Sequence, residues 1–395
     1  MSQALARLTS DFELCTAGDF YSIIARRRFN FERWYGIRRP FRIVRIPVLA
    51  FTRYPFEANF RPRSFPRYAA HYALLRRTSL IYTRSVPAAE IALRLGMNVV
   101  LETHAPISSE DGLCGVKIHT WCDNFLKLVT ISDVLAEQYA RAGVPEKKII
   151  VAPDGVDLER FGTTIDKETV RRMLGLHQSA PIVVYAGHLY SHKGIPTLLE
   201  AARSLPGIFL VLVGGWEKDV AWCREEIKRM KLDNVKCVGF VPNEDVPLYL
   251  AAGDLCVMPY SSSVASAQWT SPMKMFEYLA SRRPIVATRI PAVESVLSHG
   301  VNAFLVQPDD AVDLAKGIKT VLGNPGLGQM LATRGWIEVQ KYSWDARARR
   351  ILEGIDRPYV RAKPGSEVGW RLFQSAVGEA KRVMKLLVTA KSGRA

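Results

Sequence analysis

A chain of 395 residues with 48% hydrophobic content is long enough for two α/β units, each with its own core, and a single globular unit of that length would be unusual. The net charge of +16 implies attraction to anions, whether nucleic acid, an anionic membrane surface or phosphorylated substrates, and charge alone does not choose among them. Six scattered cysteines without a CxxC pair exclude a small disulfide framework and fit a reducing compartment, and the sequence shows neither a leader-like N-terminus nor an apolar run of about 18 residues. The expectation is a cytoplasmic protein without a membrane span.

Short β-rich apolar runs alternate with helical patterns from end to end, as in parallel sheets built from βαβ units. Ser2–Leu8 reads as the tail of a helix, and strands are expected at Phe12–Thr16, Ile43–Leu49, Leu80–Thr83, Asn98–Glu102, Leu126–Ile131 and Ile149–Ala152. A doubly wound unit ordinarily opens with a strand and a glycine-rich loop, yet none precedes Ser2, so either the coding start lies upstream of Met1 or the unit has an unusual edge. From Arg26 to Arg94 arginines crowd among aromatic rings such as Phe29, Trp34, Tyr35 and Phe51. They form either a solvated basic face with guanidinium stems over the rings or a surface that recruits anionic lipid.

The run Val99–Pro106 ends a buried strand, where α/β folds bind ligands, and it carries His104. Alone, such a histidine is more often a structural residue. Glu102 is expected on the opposite face of the strand and is read as structural. A charged and polar stretch from about Asp157 to Ser179, with the linker proper at 161–178, separates a first unit (1–160) from a second (179–343). In the second, strands are expected at Pro181–Tyr185, Phe209–Val213, Val235–Gly239, Leu255–Pro259, Pro284–Thr288 and Ala303–Val306. A helix at 344–358 returns toward the first unit. The tail 359–395 carries a basic amphipathic stripe that either docks on the protein or lies on a bilayer surface.

Two segments of the second unit suit a phosphate ligand. In Val183–Gly194, Gly187 lets the backbone approach a ligand and Lys193 stands by a helix N-terminus; the alternative is an ordinary strand-to-helix turn with a solvent lysine. In Ser271–Thr288 a turn opens a helix, with Ser271 placed to cap it and to offer its hydroxyl and N–H to phosphate. Glu277 can accept from sugar hydroxyls or be an exposed acid favouring the helix dipole. Lys274 is either a charge for a leaving group or a solvated helix lysine.

The Ser271–Thr288 segment resembles the donor-binding motif of family 4 glycosyltransferases, retaining enzymes of GT-B architecture. Val183–Gly194, Val151–Asp157 with Phe161, Val238–Val241 and Asp254–Tyr260 are similar to the same family in a fixed order between about Leu101 and Trp344. The resemblance implies two doubly wound, Rossmann-like domains facing a cleft. It also implies diphosphate contact by Lys193, a nucleobase read by the backbone around Gly239 and Val241, ribose hydroxyls on Glu277 and a sugar beside His104. His188 stands where that family usually has arginine, which would make phosphate binding pH-dependent. Trp269 replaces a glutamate that contacts the donor sugar in many members, with Gln268 and Thr270 nearby.

The function implied is transfer of a sugar, with retention, from a nucleotide diphospho-sugar to a hydroxyl of a glycan or lipid-linked glycan in envelope or exopolysaccharide synthesis. His104, Lys193 and Glu277 are its candidate catalytic residues; Gly187, His188, Gly239, Val241, Ser271, Lys274 and Glu277 would hold the donor. No Asp-x-Asp stands where a divalent ion would be expected, so neither metal nor cofactor is anticipated. The protein would work in the cytoplasm or at the inner face of the plasma membrane. No recognition motif for nucleic acid is present. The competing readings are a sugar-nucleotide 2-epimerase of the same architecture and a catalytically degenerate anion-binding protein.

Overall fold

A computed structural model of the chain describes residues 1–19, 37, 41–48, 64–108, 123–162 and 165–355. The arginines from Arg26 to Arg39 and from Arg53 to Arg63, Cys114, Cys122 and the tail from Tyr359 fall outside those residues. All strand pairing among the described residues is parallel. Helix Ser2–Leu8 leads to β1 (Glu13–Asp19), which pairs with β2 (Arg42–Val48) as a separate two-stranded sheet. Glu13 of β1 binds Arg42 (2.8 Å) and Arg76 (3.0 Å), so part of the basic stretch is neutralised locally.

The first half is centred on a four-stranded sheet in sequence order, β3 (Ile81–Thr83), β4 (Val99–Thr103), β5 (Phe125–Thr130) and β6 (Ile149–Val151). Every residue of β4 is buried. Helices cover both faces of a parallel sheet, which is why such a strand reads as an unbroken apolar run rather than an alternating one. Helices Val86–Arg94 and Asp133–Arg141 start where Ser85 and Ser132 accept hydrogen bonds from the amides of Ala88 and Leu135.

The second half holds a six-stranded sheet of β7 (Ile182–Ala186), β8 (Phe209–Val213), β9 (Val235–Gly239), β10 (Leu255–Met258), β11 (Ile285–Thr288) and β12 (Phe304–Val306). Its spatial order is β12-β11-β10-β7-β8-β9. The order reverses between β7 and β10. Connections leave those two strands in opposite directions and open a crevice at their carboxyl ends, the place where such sheets bind ligands.

The stretch expected as a polar linker contains two short helices, Leu158–Phe161 and Lys167–Met173, capped by Asp157 and Asp166. The two passages between the halves lie side by side. Val156 N–H donates to Tyr342 O (2.9 Å) and Trp344 N–H donates to Val156 O (3.2 Å), in a parallel bridge of Val156 with Ser343. Helix Trp344–Leu352 then packs against Ser2–Leu8, where Arg7 Nε donates to Asp345 at 2.9 Å. No helix among the described residues is long and apolar enough to cross a membrane.

Candidate functional site

The crevice is floored by the carboxyl end of β7. Gly187 N–H donates to Val213 O (2.9 Å), and the chain then turns through a 3-10 turn, Ser191–Lys193, into helix Ile195–Arg203. Gly194, at φ +74°, makes the turn possible, since a Cβ there would stand 1.6 Å from the carbonyl oxygen of Pro259 at the end of β10. That contact fixes Lys193 at the strand-order reversal, its Nζ 4.2 Å from the ring centroid of Tyr260. Burial pushes the lysine pKa down, and among the described residues no carboxylate pairs with it. Gly194→Ala is expected to cost at least about 2 kcal/mol, from the left-handed conformation and the clash together. Urea denaturation measures this, and parental stability would show that the turn moves freely off Pro259.

Helix Met273–Ala280 forms a second wall, and Tyr278 fixes its place. The Tyr278 hydroxyl accepts from Ala186 N–H (2.7 Å) and donates to Ala186 O (3.1 Å), tying the helix to the last residue of β7. Glu277 is 5% exposed, which removes the reading of a solvent acid. Lys274 donates to its Oε2 at 2.7 Å, so that lysine is not simply solvated, and Oε1 remains as an acceptor. Ser271 departs from the expected cap. The helix has Pro272 at its N-cap with no side-chain capping bond, while Ser271 Oγ accepts from Asp154 N–H (2.8 Å) in the passage between the halves. A hydroxyl that accepts one bond still has its proton to donate.

On the other side of β7 the ends of β8 and β9 continue the floor. Gly214 N–H donates to Gly239 O (2.7 Å), and at φ +111° a Cβ on Gly214 would press within 2.3 Å of Gly187 O. Gly239 is buried and Val241 half-buried, two strands away from Lys193, a separation that suits an elongated ligand. His188 stacks on Tyr190 (4.9 Å between centroids) and Trp216 (5.8 Å). Partial burial lowers its imidazole pKa, Lys193 and Lys274 add to that, and Asp219 opposes them. These surroundings favour the neutral ring. Trp216, Gly214 and Tyr278 were not singled out from sequence; a glycine pair directly after a strand was the available signal for the first two.

The facing wall is the end of β4. His104 Nε2 lies 2.7 Å from Glu102 Oε1. This corrects the placement of Glu102 on the opposite face, since residues two apart on a strand point the same way. Burial works against the Glu102 carboxylate, yet bonds and charge from His104 and Arg347 outweigh it and hold its pKa below the ordinary value. Asp154 lies within electrostatic reach of His104, Arg347 and Arg84; burial raises its pKa, partly offset by the nearby guanidinium groups. The Asp154 backbone reaches Ser271, so the two walls meet at this residue.

Two parallel α/β halves, with candidate residues at the strand ends of both, define the GT-B class. Residues 180–324 match the family model described as Glycosyl transferases group 1. The D-inositol 3-phosphate glycosyltransferase of Corynebacterium urealyticum is 29% identical over 221 residues, 52% of this chain and 50% of that protein. The putative teichuronic acid biosynthesis glycosyltransferase TuaC of Bacillus subtilis is 35% identical over 172 residues, 42% of this chain and 40% of that one. Among solved structures, Anabaena HepE in complex with UDP and glucose superposes with a TM-score of 0.65 at 21% identity, covering 80% of this chain and 87% of that one. Residues 180–324 thus carry the match to the glycosyltransferase family, and the fold is that of GT-B glycosyltransferases. The chain spans about half the length of the curated relatives it matches.

Proposed function

We propose that the protein is a retaining glycosyltransferase that moves a sugar from a nucleotide diphospho-sugar to a hydroxyl of a glycan or lipid-linked glycan, in cell-envelope or polysaccharide synthesis. The carrying observation is Lys193, a partly desolvated cation with no carboxylate partner among the described residues, placed at the strand-order reversal by a turn whose Gly194 lies against Pro259 O. A charge left unpaired there favours an anionic ligand. The relatives named for teichuronic acid and inositol phosphate glycosylation, and the neighbour solved with UDP and glucose, support a nucleotide-sugar donor and an envelope or glycan acceptor.

In this reading the diphosphate lies on Lys193, with the Ser271 hydroxyl and neutral His188 as further donors. The Gly239 and Val241 backbone meets the base, Glu277 Oε1 accepts from ribose hydroxyls, and His104 faces the sugar. The bond from the anomeric carbon to the diphosphate oxygen breaks as the acceptor oxygen bonds on the same face. The acceptor proton passes to the departing diphosphate, so no enzymic nucleophile is needed. Closure of the halves excludes water.

Thermal stabilisation by a panel of nucleoside diphosphates and their sugars tests the proposal, because a ligand of the native state raises the melting point by mass action. At least one diphosphate is expected to stabilise the protein, and Glu277→Ala to weaken that donor by about tenfold to a hundredfold, the loss of one charge-assisted bond of about 1.5–3 kcal/mol. No stabilisation by any member would sink the donor site. A 2-epimer released from donor alone would replace transfer by epimerisation.

A further inference from the structure

A buried ion pair runs beneath the strand end that carries His104. Glu102 and Arg347 are each 5% exposed, and they come from β4 and from helix Trp344–Leu352, which follows the second passage between the halves. Glu102 Oε1 faces His104 Nε2 at 2.7 Å, while Oε2 accepts from Arg347 Nη2 (3.0 Å) and from the Tyr82 hydroxyl. Arg347 Nε also donates to the carbonyls of Ala152 (3.1 Å) and Pro153 (2.8 Å), the residues just before Asp154. Arg84 Nε stands 3.9 Å from Oε1 at the exposed rim. A buried pair of this kind is weak evidence for stability, since desolvating two charges offsets most of their attraction. Here the carboxylate has its two oxygens divided between an arginine and an imidazole.

We propose that Glu102 and Arg347 are positioning residues that set the orientation and tautomer of His104. The inference rests on the reading that His104 faces the donor sugar. An ionised carboxylate only accepts hydrogen bonds, so the imidazole nitrogen facing it carries the proton. Neutral His104 therefore presents Nδ1 with its lone pair as the one remaining acceptor, and the ring is held in a single plane by a charge-assisted bond. Arg347 keeps the carboxylate ionised and stops it from turning away. Because the same guanidinium grips Ala152 and Pro153, the posture of His104 depends on the returning helix being seated. The second half of the chain thereby prepares a residue of the first.

The test replaces the pair by apolar side chains, Glu102→Leu with Arg347→Met, an exchange that is often neutral for folding. Two readouts are taken on the whole chain. In protein labelled with 15N-histidine, the parent is expected to show a downfield, slowly exchanging imidazole N–H resonance that His104→Gln removes, and the double variant is expected to lose it. With the donor found in the stabilisation panel, kcat is expected to fall at least tenfold while donor KM stays within about twofold and the melting temperature moves little. A role confined to stability would instead lower the melting temperature and leave kcat per folded molecule unchanged, overturning the inference, as would an unaltered imidazole resonance. If the double variant does not fold, Arg347→Lys keeps a cation without the two-pronged donor. Weakening of both signals there supports the inference, and parental values of both overturn it. If no nucleotide sugar supports transfer by the parent, the functional reading falls, and the imidazole resonance alone decides the positioning of His104.

Discussion

Lys193→Ala is expected to lower turnover by about a hundredfold to a thousandfold, the range found when one fixed donor to a developing anion is removed, or about 2.7–4 kcal/mol of barrier. The melting temperature should hardly move. The ammonium makes a cation–π contact with Tyr260, worth about 0.5–1 kcal/mol, and no ion pair with a described carboxylate. Burial that lowers its pKa is a cost to the folded protein, and deleting the charge relieves that cost. In the transition state the balance reverses. Negative charge collects on the departing diphosphate inside a closed cleft of low effective dielectric, where a fixed cation is worth far more than in water. Donor KM should rise less than kcat falls, since the interaction strengthens as the bond breaks. Steady-state kinetics with the stabilising donor check this. Turnover within a factor of two of the parent would return Lys193 to the solvent and remove the main support for the diphosphate site.

The sheets were legible because strands buried on both faces leave unbroken apolar runs, as in β4 and β7. Residues whose surroundings come from short-range order were legible too: Gly187 and Gly239 sit at strand ends and Lys193 in the turn that leads from one into a helix, where α/β folds place ligands. What escaped depends on distant partners. The Ser271 hydroxyl is claimed by an amide 117 residues away, and its own helix begins with Pro272, so local capping rules gave the wrong partner. Arg347 meets Glu102 across 245 residues, a pairing no local pattern carries. The misplaced Glu102 and the overlooked linker helices are different, because strand periodicity and the capping aspartates Asp157 and Asp166 were present in the sequence. For His104 the residue itself was visible, whereas the carboxylate and guanidinium that orient it emerge only when the returning helix is folded back.

Arg171→Met is expected to destabilise the protein by about 2–4 kcal/mol, from the buried carbonyls and the part-buried carboxylate that lose a donor. Arg171 belongs to the linker helix Lys167–Met173, and its side chain is 3% exposed. Nη2 meets Asp254 Oδ2 at 2.5 Å, Nε donates to Ala252 O (2.9 Å), and Nη1 is directed at the carbonyls of Gln178 and Ala180 (3.1 and 3.3 Å). Methionine fills the volume but leaves those carbonyls without their donor, at about 1 kcal/mol or more each. Asp254 in turn accepts from Ile182 N–H (2.7 Å) at the start of β7, so the pair locks the linker to the strand that leads to Gly187. Burial raises the Asp254 pKa, but Lys167, Ile182 and Arg171 together hold it below the ordinary value. With a folded pKa depressed below the unfolded value of about 3.9, the stabilisation is present above that pH and is lost as pH falls through the folded pKa. The variant should therefore begin acid unfolding at higher pH than the parent. Lys167→Met serves as the comparison, because that lysine lies 32% exposed at the rim of the same carboxylate and its loss should cost no more than about 1 kcal/mol. Urea titrations at neutral and acid pH measure both. Equal shifts for the two variants would show that Arg171 is an ordinary surface partner, and that something other than this pair holds the linker against the donor half.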